Sequence, residues 1–283
     1  FLLSVDQKSA FDVVEWEYVL KSLEHFGLGK NFLNWLKIIY KPGKVKSSVS
    51  VNAYLSRFFP IARGQGCPLS PLLYIIAAET FANSIRLDPE TSGITLGNRI
   101  VKINHYADDM NFFLSNQTSI QKIFELFDVY NRASGATLNF EKTKILKLGN
   151  TELNCFSTNE VKKLKIYGVF FDCNGFDRTK SFEQAESSIR KLSGLYPHSE
   201  FSLDSRSIFI NTYFLSKFWY CACFIRPPDD LIQLANKAIT RFLWYPSRMP
   251  KMKGAVIKNS KKFGGIGAPD IERKITAFQD IPV

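Results

Sequence analysis

Tyr106-Ala107-Asp108-Asp109 separates two apolar segments of the chain, and the other motifs are best understood in relation to it. Residues with high strand propensity surround it, namely Ile100, Val101 and Ile103 before it and Met110, Phe112, Phe113 and Leu114 after it. This pattern predicts two strands joined by a tight turn. Adjacent carboxylates at such a turn repel each other, and a divalent cation bound through hard oxygen ligands relieves that repulsion. The pair is also consistent with a plain polar hairpin turn.

A third carboxylate would be needed to hold two metal ions. Asp6 follows Phe1-Leu2-Leu3-Ser4-Val5, whose apolar character predicts a buried strand. We therefore expect Asp6 to face the Asp108-Asp109 turn from a neighbouring strand.

Composition indicates a packed protein with a polyanionic partner. The 283 residues are 45% apolar and 14% aromatic, which excludes wholesale disorder. The net charge of +11 and a pI of about 9.3 favour nucleic acid over a membrane surface as the partner. The five cysteines are odd in number and lack metal-binding spacing, so we expect neither disulfides nor zinc, and a reducing cell interior. Since the chain starts on Phe1 within a predicted strand, we expect it to be part of a longer protein.

Hydrophobic periodicity predicts an α+β arrangement for the first part of the chain. An Asp12–Glu15 capping box opens a helix that Gly27 ends, and further helices are predicted over 31–40, 72–85 and 118–133. Strands are predicted as a hairpin over 45–59 and at 144–148. This order predicts an antiparallel sheet with helices on one face.

The second part of the chain has a different character. A strand pair at 164–171 precedes three predicted helices, 180–195, 204–223 and 229–244. Their predicted core positions are aromatic, namely Phe209, Tyr213, Phe214, Trp219, Phe242 and Trp244. We place a domain boundary near residue 175. Residues 246–262 contain six basic side chains and no acidic one.

Four motifs in order resemble the reverse transcriptases of non-LTR (LINE-type) retrotransposons. They are Asp6-x-x-x-Ala10-Phe11-Asp12, Gln65-Gly66-Cys67-Pro68-Leu69-Ser70-Pro71, Tyr106-Ala107-Asp108-Asp109, and Gly135 with Leu138-Asn139-x-x-Lys142-Thr143. The similarity continues in Leu215-Ser216-Lys217-x-Trp219-Tyr220, Arg241-Phe242-Leu243-Trp244 and Gly264-Gly265-Ile266-Gly267-x-Pro269-Asp270. The resemblance implies a polymerase palm over 1–175, an α-helical thumb over 176–245 and a basic post-thumb segment over 246–283.

The resemblance also implies RNA-directed DNA polymerase activity. In that reaction a primer 3′-hydroxyl attacks the α-phosphate of a dNTP, assisted by two Mg²⁺ ions about 4 Å apart, for which Mn²⁺ can substitute. Asp6 and Asp108 match the family's metal-bridging carboxylates, Asp109 an auxiliary ligand, and the Gln7 carbonyl a backbone ligand. The implied partners are an RNA template, a DNA primer and dNTPs, with no membrane, in a ribonucleoprotein of cytoplasm and nucleus.

Other residues match substrate-binding positions of the family. Phe11 matches the aromatic that excludes a 2′-hydroxyl, although it is equally consistent with a core phenylalanine. Gln65 and Gly66 match the loop along the template and incoming base. Lys142 matches a lysine near the triphosphate, although an exposed lysine at a strand edge would look the same. Tyr167-Gly168-Val169 matches the turn that grips the primer end.

Two departures from the family pattern bear on activity. Gly64 precedes Gln65 where the family has Arg, and the fingers and endonuclease expected before Asp6 are not in this sequence. We therefore expect the chain to bind primer–template but to extend it poorly or not at all by itself. The alternative function is a catalytically inactive or repurposed remnant that binds nucleic acid. A palm-type nucleotide cyclase would need no thumb, and the aromatic-rich second part argues against it.

Overall fold

The computed structural model describes residues 1–8, 13–40, 46–47, 50–51, 54–55, 59–60, 68–149, 159–197, 200–247 and 250–280. The chain divides into two compact units, Phe1–Leu164 and Lys165–Val283. The predicted boundary near residue 175 falls inside the second unit.

The first unit is built around a five-stranded sheet. The described strands, with the last one continuing into the second unit, are β1 (Leu2–Val5), β2 (Gln7–Lys8), β3 (Lys46–Ser47), β4 (Ser50–Val51), β5 (Tyr54–Leu55), β6 (Phe59–Pro60), β7 (Ile94–Leu96), β8 (Arg99–Val101), β9 (Ile103–Tyr106), β10 (Asp109–Phe113), β11 (Thr137–Leu138), β12 (Lys144–Leu146), β13 (Glu160–Val161) and β14 (Lys163–Ile166). The order in the sheet is β13-β12-β1-β10-β9. Neighbouring strands are antiparallel, apart from the parallel pair β12 and β13.

The remaining strands of this unit form short antiparallel pairs. β3 pairs with β6 and β4 with β5, so the described residues of the predicted 45–59 hairpin do pair as a hairpin. β7 pairs with β8, and β2 pairs with β11.

Helices pack on one face of the sheet, as predicted. They are α1 (Trp16–His25), α2 (Lys30–Ile39), α3 (Ser70–Leu87) and α4 (Gln117–Ser134). Leu3, Val5, Met110 and Phe112 of the sheet share a buried core with helix residues such as Phe127. The period of two in β1 and β10 places these side chains on one face, where the helices cover them.

Helix α4 has local sequence signals that fix both of its ends. The Asn116 side chain accepts a hydrogen bond of 2.8 Å from the Ser119 N–H, which caps the first turn. Gly135 ends the helix with a φ of 75°, a conformation that glycine adopts without steric cost. The helix therefore begins and ends within one residue of its predicted bounds.

Helix α1 does not begin as predicted. It starts at Trp16, and its N-cap residue Glu15 makes no side-chain capping hydrogen bond. Instead the Glu15 main-chain N–H donates to the Ser134 carbonyl at the end of α4, at 2.7 Å. The prediction of a capping box was wrong for Glu15, because a tertiary contact fixes this helix start. Asp12 lies outside the described residues.

The second unit combines a small sheet with helices. Strand β14 pairs with β15 (Val169–Asp172), which pairs with β16 (Gly175–Phe176). The helices are α5 (Arg178–Gly194), α6 (Leu203–Phe209), a π-helical segment (Ile210–Phe214), α7 (Ser216–Ala222), α8 (Asp229–Trp244), α9 (Gly254–Lys258), a 3₁₀ turn (Lys261–Phe263) and α10 (Ile271–Gln279). Phe182, Phe218 and Phe242 lie in its buried core.

The second of the three predicted thumb helices is interrupted. The π-helical segment Ile210–Phe214 divides it into α6 and α7. A π-helical turn holds more residues than an α-helical one, so it changes the direction in which the side chains point from the helix axis. Tyr213 is accordingly 68% exposed, and its prediction as a core residue was wrong.

Among the described residues, no helix has both the length and the apolar character that are needed to cross a membrane.

Candidate active site

Asp108 lies on a two-residue hairpin loop in the first unit, and Asp109 begins the strand that follows it. Tyr106 of β9 pairs with Asp109 of β10, and Ala107 and Asp108 form the loop. Ala107 has a φ of 54°, in the left-handed region that tight hairpin loops require at the first central position. An L-residue other than glycine is strained there by about 1–2 kcal/mol. The sheet therefore holds Asp108 at the tip of a strained turn.

Asp6 reaches the same place from the neighbouring strand. β1 and β10 pair antiparallel, with Val5 opposite Met110. Continuing that register by one residue places Asp6 opposite Asp109, beside the turn. The two central strands of the sheet thus bring together the ends that carry the three predicted aspartates.

The segment after β11 holds Asp6 in position. The Asn139 main-chain N–H donates to the Asp6 carbonyl at 2.9 Å, and Asn139 Nδ2 donates to Asp6 Oδ2 at 3.3 Å. The Asn139 carbonyl accepts from the N–H groups of Lys142 and Thr143, and from the Thr143 hydroxyl. This turn brings Lys142 Nζ to 3.4 Å from Asp6 Oδ2. Asn139 belongs to a motif quoted in the sequence analysis, but the sequence assigned it no contact with Asp6.

The electrostatics of the site follow from three nearby carboxylates. Partial burial raises the pKa of Asp109, and the negative charges of Asp108 and Asp6 raise the pKa further. Asp108 also contributes to the raised pKa of Tyr74, although burial is the main cause there. The Lys142 ammonium ion is the one cation within ion-pairing distance of Asp6 among the described residues.

Gln7 supports the site through its side chain. It is buried in β2, where Nε2 lies 3.4 Å from Met110 Sδ and Oε1 accepts a 3.1 Å hydrogen bond from the Tyr74 hydroxyl. β2 pairs with β11, with Gln7 opposite Leu138. These contacts connect the backbone after Asp6 to β10 and α3, a role that the sequence did not indicate.

The donors fit a divalent cation by their chemistry. Carboxylate oxygens are the hard ligands that Mg²⁺ and Mn²⁺ prefer. Burial and then repulsion from Asp108 and Asp6 raise the pKa of Asp109, and a bound cation would relieve the repulsion. Within the described ranges, however, no three His, Cys, Asp or Glu side chains are placed to hold one ion together. The sheet brings the aspartates to adjoining strand ends, and it does not close them into a cage.

Three predicted substrate-binding residues, Phe11, Gln65 and Gly66, lie outside the described residues. The residues of the predicted primer grip are among those described, and they lie in the second unit. Tyr167 and Gly168 link β14 to β15 with φ values of 46° and 82°, as a tight hairpin turn requires, and Val169 is buried.

Tyr220 of α7 supports this turn. Its hydroxyl donates to the Tyr167 carbonyl, and a Cβ added at Gly168 would lie 2.8 Å from the Tyr220 ring. The ring therefore packs against the glycine, where a side chain would clash. Tyr220 was part of a recognised motif, but the sequence assigned it no contact.

Comparisons with a family model, with curated proteins and with solved structures show what the chain is similar to. The family model for reverse transcriptase (RNA-dependent DNA polymerase) matches residues 1–176. The chain is 26% identical over 289 aligned residues to an uncharacterized 149 kDa protein of a Xenopus laevis transposon, covering 98% of this chain and 22% of that protein.

A second relative is a retrovirus-related Pol polyprotein from a type-2 retrotransposable element of Drosophila melanogaster. It is 22% identical, and the alignment covers 96% of this chain and 27% of that protein. The chain thus spans about a quarter of the length of these two relatives.

One similar solved structure is the telomerase of Candida albicans in complex with a fragment of telomeric RNA. The TM-score is 0.50 at 13% identity, over 84% of this chain and 38% of that one. This similarity concerns the fold alone.

Proposed function

The chain belongs to the reverse transcriptase (RNA-dependent DNA polymerase) family, and on that basis we propose that it forms the palm and thumb of a retrotransposon enzyme that copies RNA into DNA. The partners in this proposal are an RNA template, a DNA primer and dNTPs. The first unit supplies the palm chemistry, and the second supplies the thumb.

One observation carries the proposal. The Val5–Met110 pair of the β1–β10 register, continued by one residue, would put Asp6 opposite Asp109 and beside the Asp108 turn, which supports a shared site. Nucleotidyl transfer needs such carboxylates at adjacent strand ends, because hard oxygen ligands from two elements can share a pair of ions. The Asp6, Asp108 and Asp109 carboxylates and the Gln7 carbonyl would hold Mg²⁺ or Mn²⁺. When bound there, two such ions supply activation of the primer 3′-hydroxyl and stabilisation of the pyrophosphate leaving group.

The contact between Lys142 and Asp6 supports a role for Lys142 in this reaction. Its side chain is exposed and reaches Asp6 from a turn fixed by Asn139. A dNTP triphosphate carries more negative charge than one carboxylate. When substrate binds, the Lys142 ammonium group therefore leaves Asp6 and pairs with the triphosphate. Lys142 then donates a proton to the leaving pyrophosphate oxygen.

The remaining substrate contacts are proposed from the motifs. Phe11 excludes the 2′-hydroxyl of a ribonucleotide, and the Gln65-Gly66 backbone lies along the template and incoming base. Tyr167, Gly168 and Val169 hold the primer end, and the packing of Tyr220 on Gly168 supports a rigid grip.

Primer extension on an RNA template tests the proposal. In the presence of Mg²⁺ or Mn²⁺ we expect excess protein to extend a DNA primer slowly at most, and faster when a fingers segment is fused before Phe1. Asp108→Asn should lower the rate by at least about a thousandfold, since charge stabilisation supplies much of phosphoryl-transfer catalysis. Asp128→Asn is the matched control, because Asp128 is an exposed helix residue paired with Arg132.

Two outcomes would overturn the proposal. Extension by Asp108→Asn at the wild-type rate would remove the assigned site. Tight primer–template binding with no extension under any divalent cation, even when a fingers segment is fused before Phe1, would favour the alternative, a remnant that binds nucleic acid without catalysis.

A further inference from the structure

A groove of about 930 Å³ lies beside helix α8 in the second unit, where no predicted site residue is found. Tyr196 and Tyr245 line it together with Lys237, Thr240 and Arg241 of α8. No carboxylate belongs to its described lining. The groove is therefore aromatic and positively charged.

Two tyrosines form an exposed aromatic surface in this groove. The ring centroids of Tyr196 and Tyr245 lie 5.0 Å apart, with an angle of 52° between the ring planes. Tyr196 is 60% exposed and Tyr245 is 37% exposed. Aromatic rings usually become buried when a protein folds, so an exposed pair beside basic side chains indicates a surface for a ligand with flat rings.

Cations adjoin this aromatic surface. The Arg241 guanidinium carbon lies 5.5 Å from the Tyr196 ring centroid, and Arg241 Nη2 donates to the Tyr196 hydroxyl at 3.1 Å. Lys237 precedes Arg241 by four residues, so the two share one face of α8. Phosphate groups of a ligand whose rings contact the tyrosines would meet these two side chains.

The surface is held in place before any ligand binds. Arg206 is buried, and its Nη1 donates to the carbonyls of Leu243 at 2.8 Å and Tyr245 at 2.6 Å. These bonds fix the backbone at the C-terminal end of α8, including the Tyr245 residue that follows the helix. A preordered aromatic side chain loses little entropy on binding, which favours affinity.

We propose that this groove is a second nucleic-acid site that binds a single strand, with one or two bases stacked on Tyr196 and Tyr245 and phosphates bound by Lys237 and Arg241. A duplex does not suit the groove, because its bases are already stacked on each other. The combination of aromatic stacking and backbone-tracking cations is typical of sequence-tolerant single-strand binding. This site uses none of the aspartates of the proposed polymerase.

Fluorescence anisotropy with labelled oligo(dT) of about 12 nucleotides tests the proposal on the whole chain. The double variant Tyr196→Ala/Tyr245→Ala should bind about tenfold or more weakly than the wild type, since each stacked base contributes substantially to affinity. Tyr196→Phe/Tyr245→Phe should stay within about twofold, because the rings remain.

Matched controls come from the same unit. Tyr213→Ala removes a tyrosine that is also exposed, from the π-helical segment, and Arg190→Gln removes an exposed arginine from α5. Both should leave affinity for oligo(dT) unchanged. Equal loss in Tyr213→Ala and in the groove variant would overturn the assignment.

Photo-crosslinking locates the contact independently of affinity. An oligonucleotide carrying 5-bromouracil should crosslink to Tyr196 or Tyr245, as identified by mass spectrometry of the digested protein. Crosslinks confined to other segments, or wild-type affinity in the double alanine variant, would refute the proposal. In that case a protein partner would become the better occupant of the groove.

Discussion

At the residue scale, Asp109 carries an electrostatic penalty that determines how stability depends on pH. Burial and the charges of Asp108 and Asp6 raise the pKa of Asp109, so folding disfavours its ionised form. Below the ordinary carboxyl pKa both states are protonated and there is no penalty. As pH rises through the raised pKa, the penalty becomes complete.

We therefore expect Asp109→Asn to raise the melting temperature at neutral pH in EDTA and to have no effect near pH 3, where the carboxyl is protonated. Scanning calorimetry at the two pH values measures this difference. A variant that is less stable than the wild type at neutral pH would contradict the electrostatic account.

Asn139 is a positioning residue whose role can be separated from folding. Asn139→Ala removes the side-chain donor to Asp6 Oδ2, and the backbone bond to the Asp6 carbonyl remains. Loss of an outer-shell partner costs about 10–100-fold in metal affinity, and we expect a loss of this size for Mn²⁺. The exposed Asn34→Ala on α2 is the control and should bind Mn²⁺ normally. Equal affinity in the two variants would show that Asn139 does not position Asp6.

At the element scale, replacing alanine with glycine should change the free energy of unfolding in opposite directions at the Ala107-Asp108 loop and in helix α4. Ala107 has a positive φ, so Ala107→Gly should raise the free energy of unfolding by about 0.5–1 kcal/mol. Ala133→Gly, in the exposed last turn of α4, should lower it by up to about 1 kcal/mol. Urea denaturation measures both. A destabilising effect of Ala107→Gly would show that the turn is not strained.

Arg206 ties the end of α8 to α6 through a buried guanidinium. Arg206→Met leaves the carbonyls of Leu243 and Tyr245 without this donor, and we expect a loss of about 3 kcal/mol in the free energy of unfolding. Arg190→Met, an exposed change on α5, should stay within about 0.5 kcal/mol. Similar losses in both variants would contradict a structural role for Arg206.

Elements with strong local signals could be predicted from the sequence. The period of two around Tyr106–Asp109 gave the hairpin, and the apolar period of α4 with Gly135 gave that helix and its end. The contact between Asn139 and Asp6 could not be predicted, since it joins residues 133 positions apart and no local pattern encodes it. Tyr213 was misplaced because a π-helical turn changes the period on which its core assignment depended.

At the scale of the whole molecule, the net charge of +11 governs association with nucleic acid. Affinity for an RNA–DNA hybrid should fall about tenfold or more between ~50 and ~200 mM salt, because phosphate contacts release counterions. The exposed Lys251, Lys253 and Lys262 belong to the basic post-thumb segment, and replacing all three with Gln should reduce the salt slope by up to about 3. Lys21→Gln, which removes a lysine paired with Glu17, is the control. A flat salt dependence of the wild type would contradict the expected mode of binding.

In the proposed function, Asp6, Asp108 and Asp109 together bind divalent cations at adjacent strand ends. Mn²⁺ titration followed by electron paramagnetic resonance tests it without requiring catalysis. We expect Asp6→Asn and Asp108→Asn each to weaken Mn²⁺ binding by more than about tenfold, since a ligand contributes at least as much as its outer-shell partner. Asp128→Asn should bind Mn²⁺ as the wild type does. Indistinguishable titrations for all four proteins would contradict the claim.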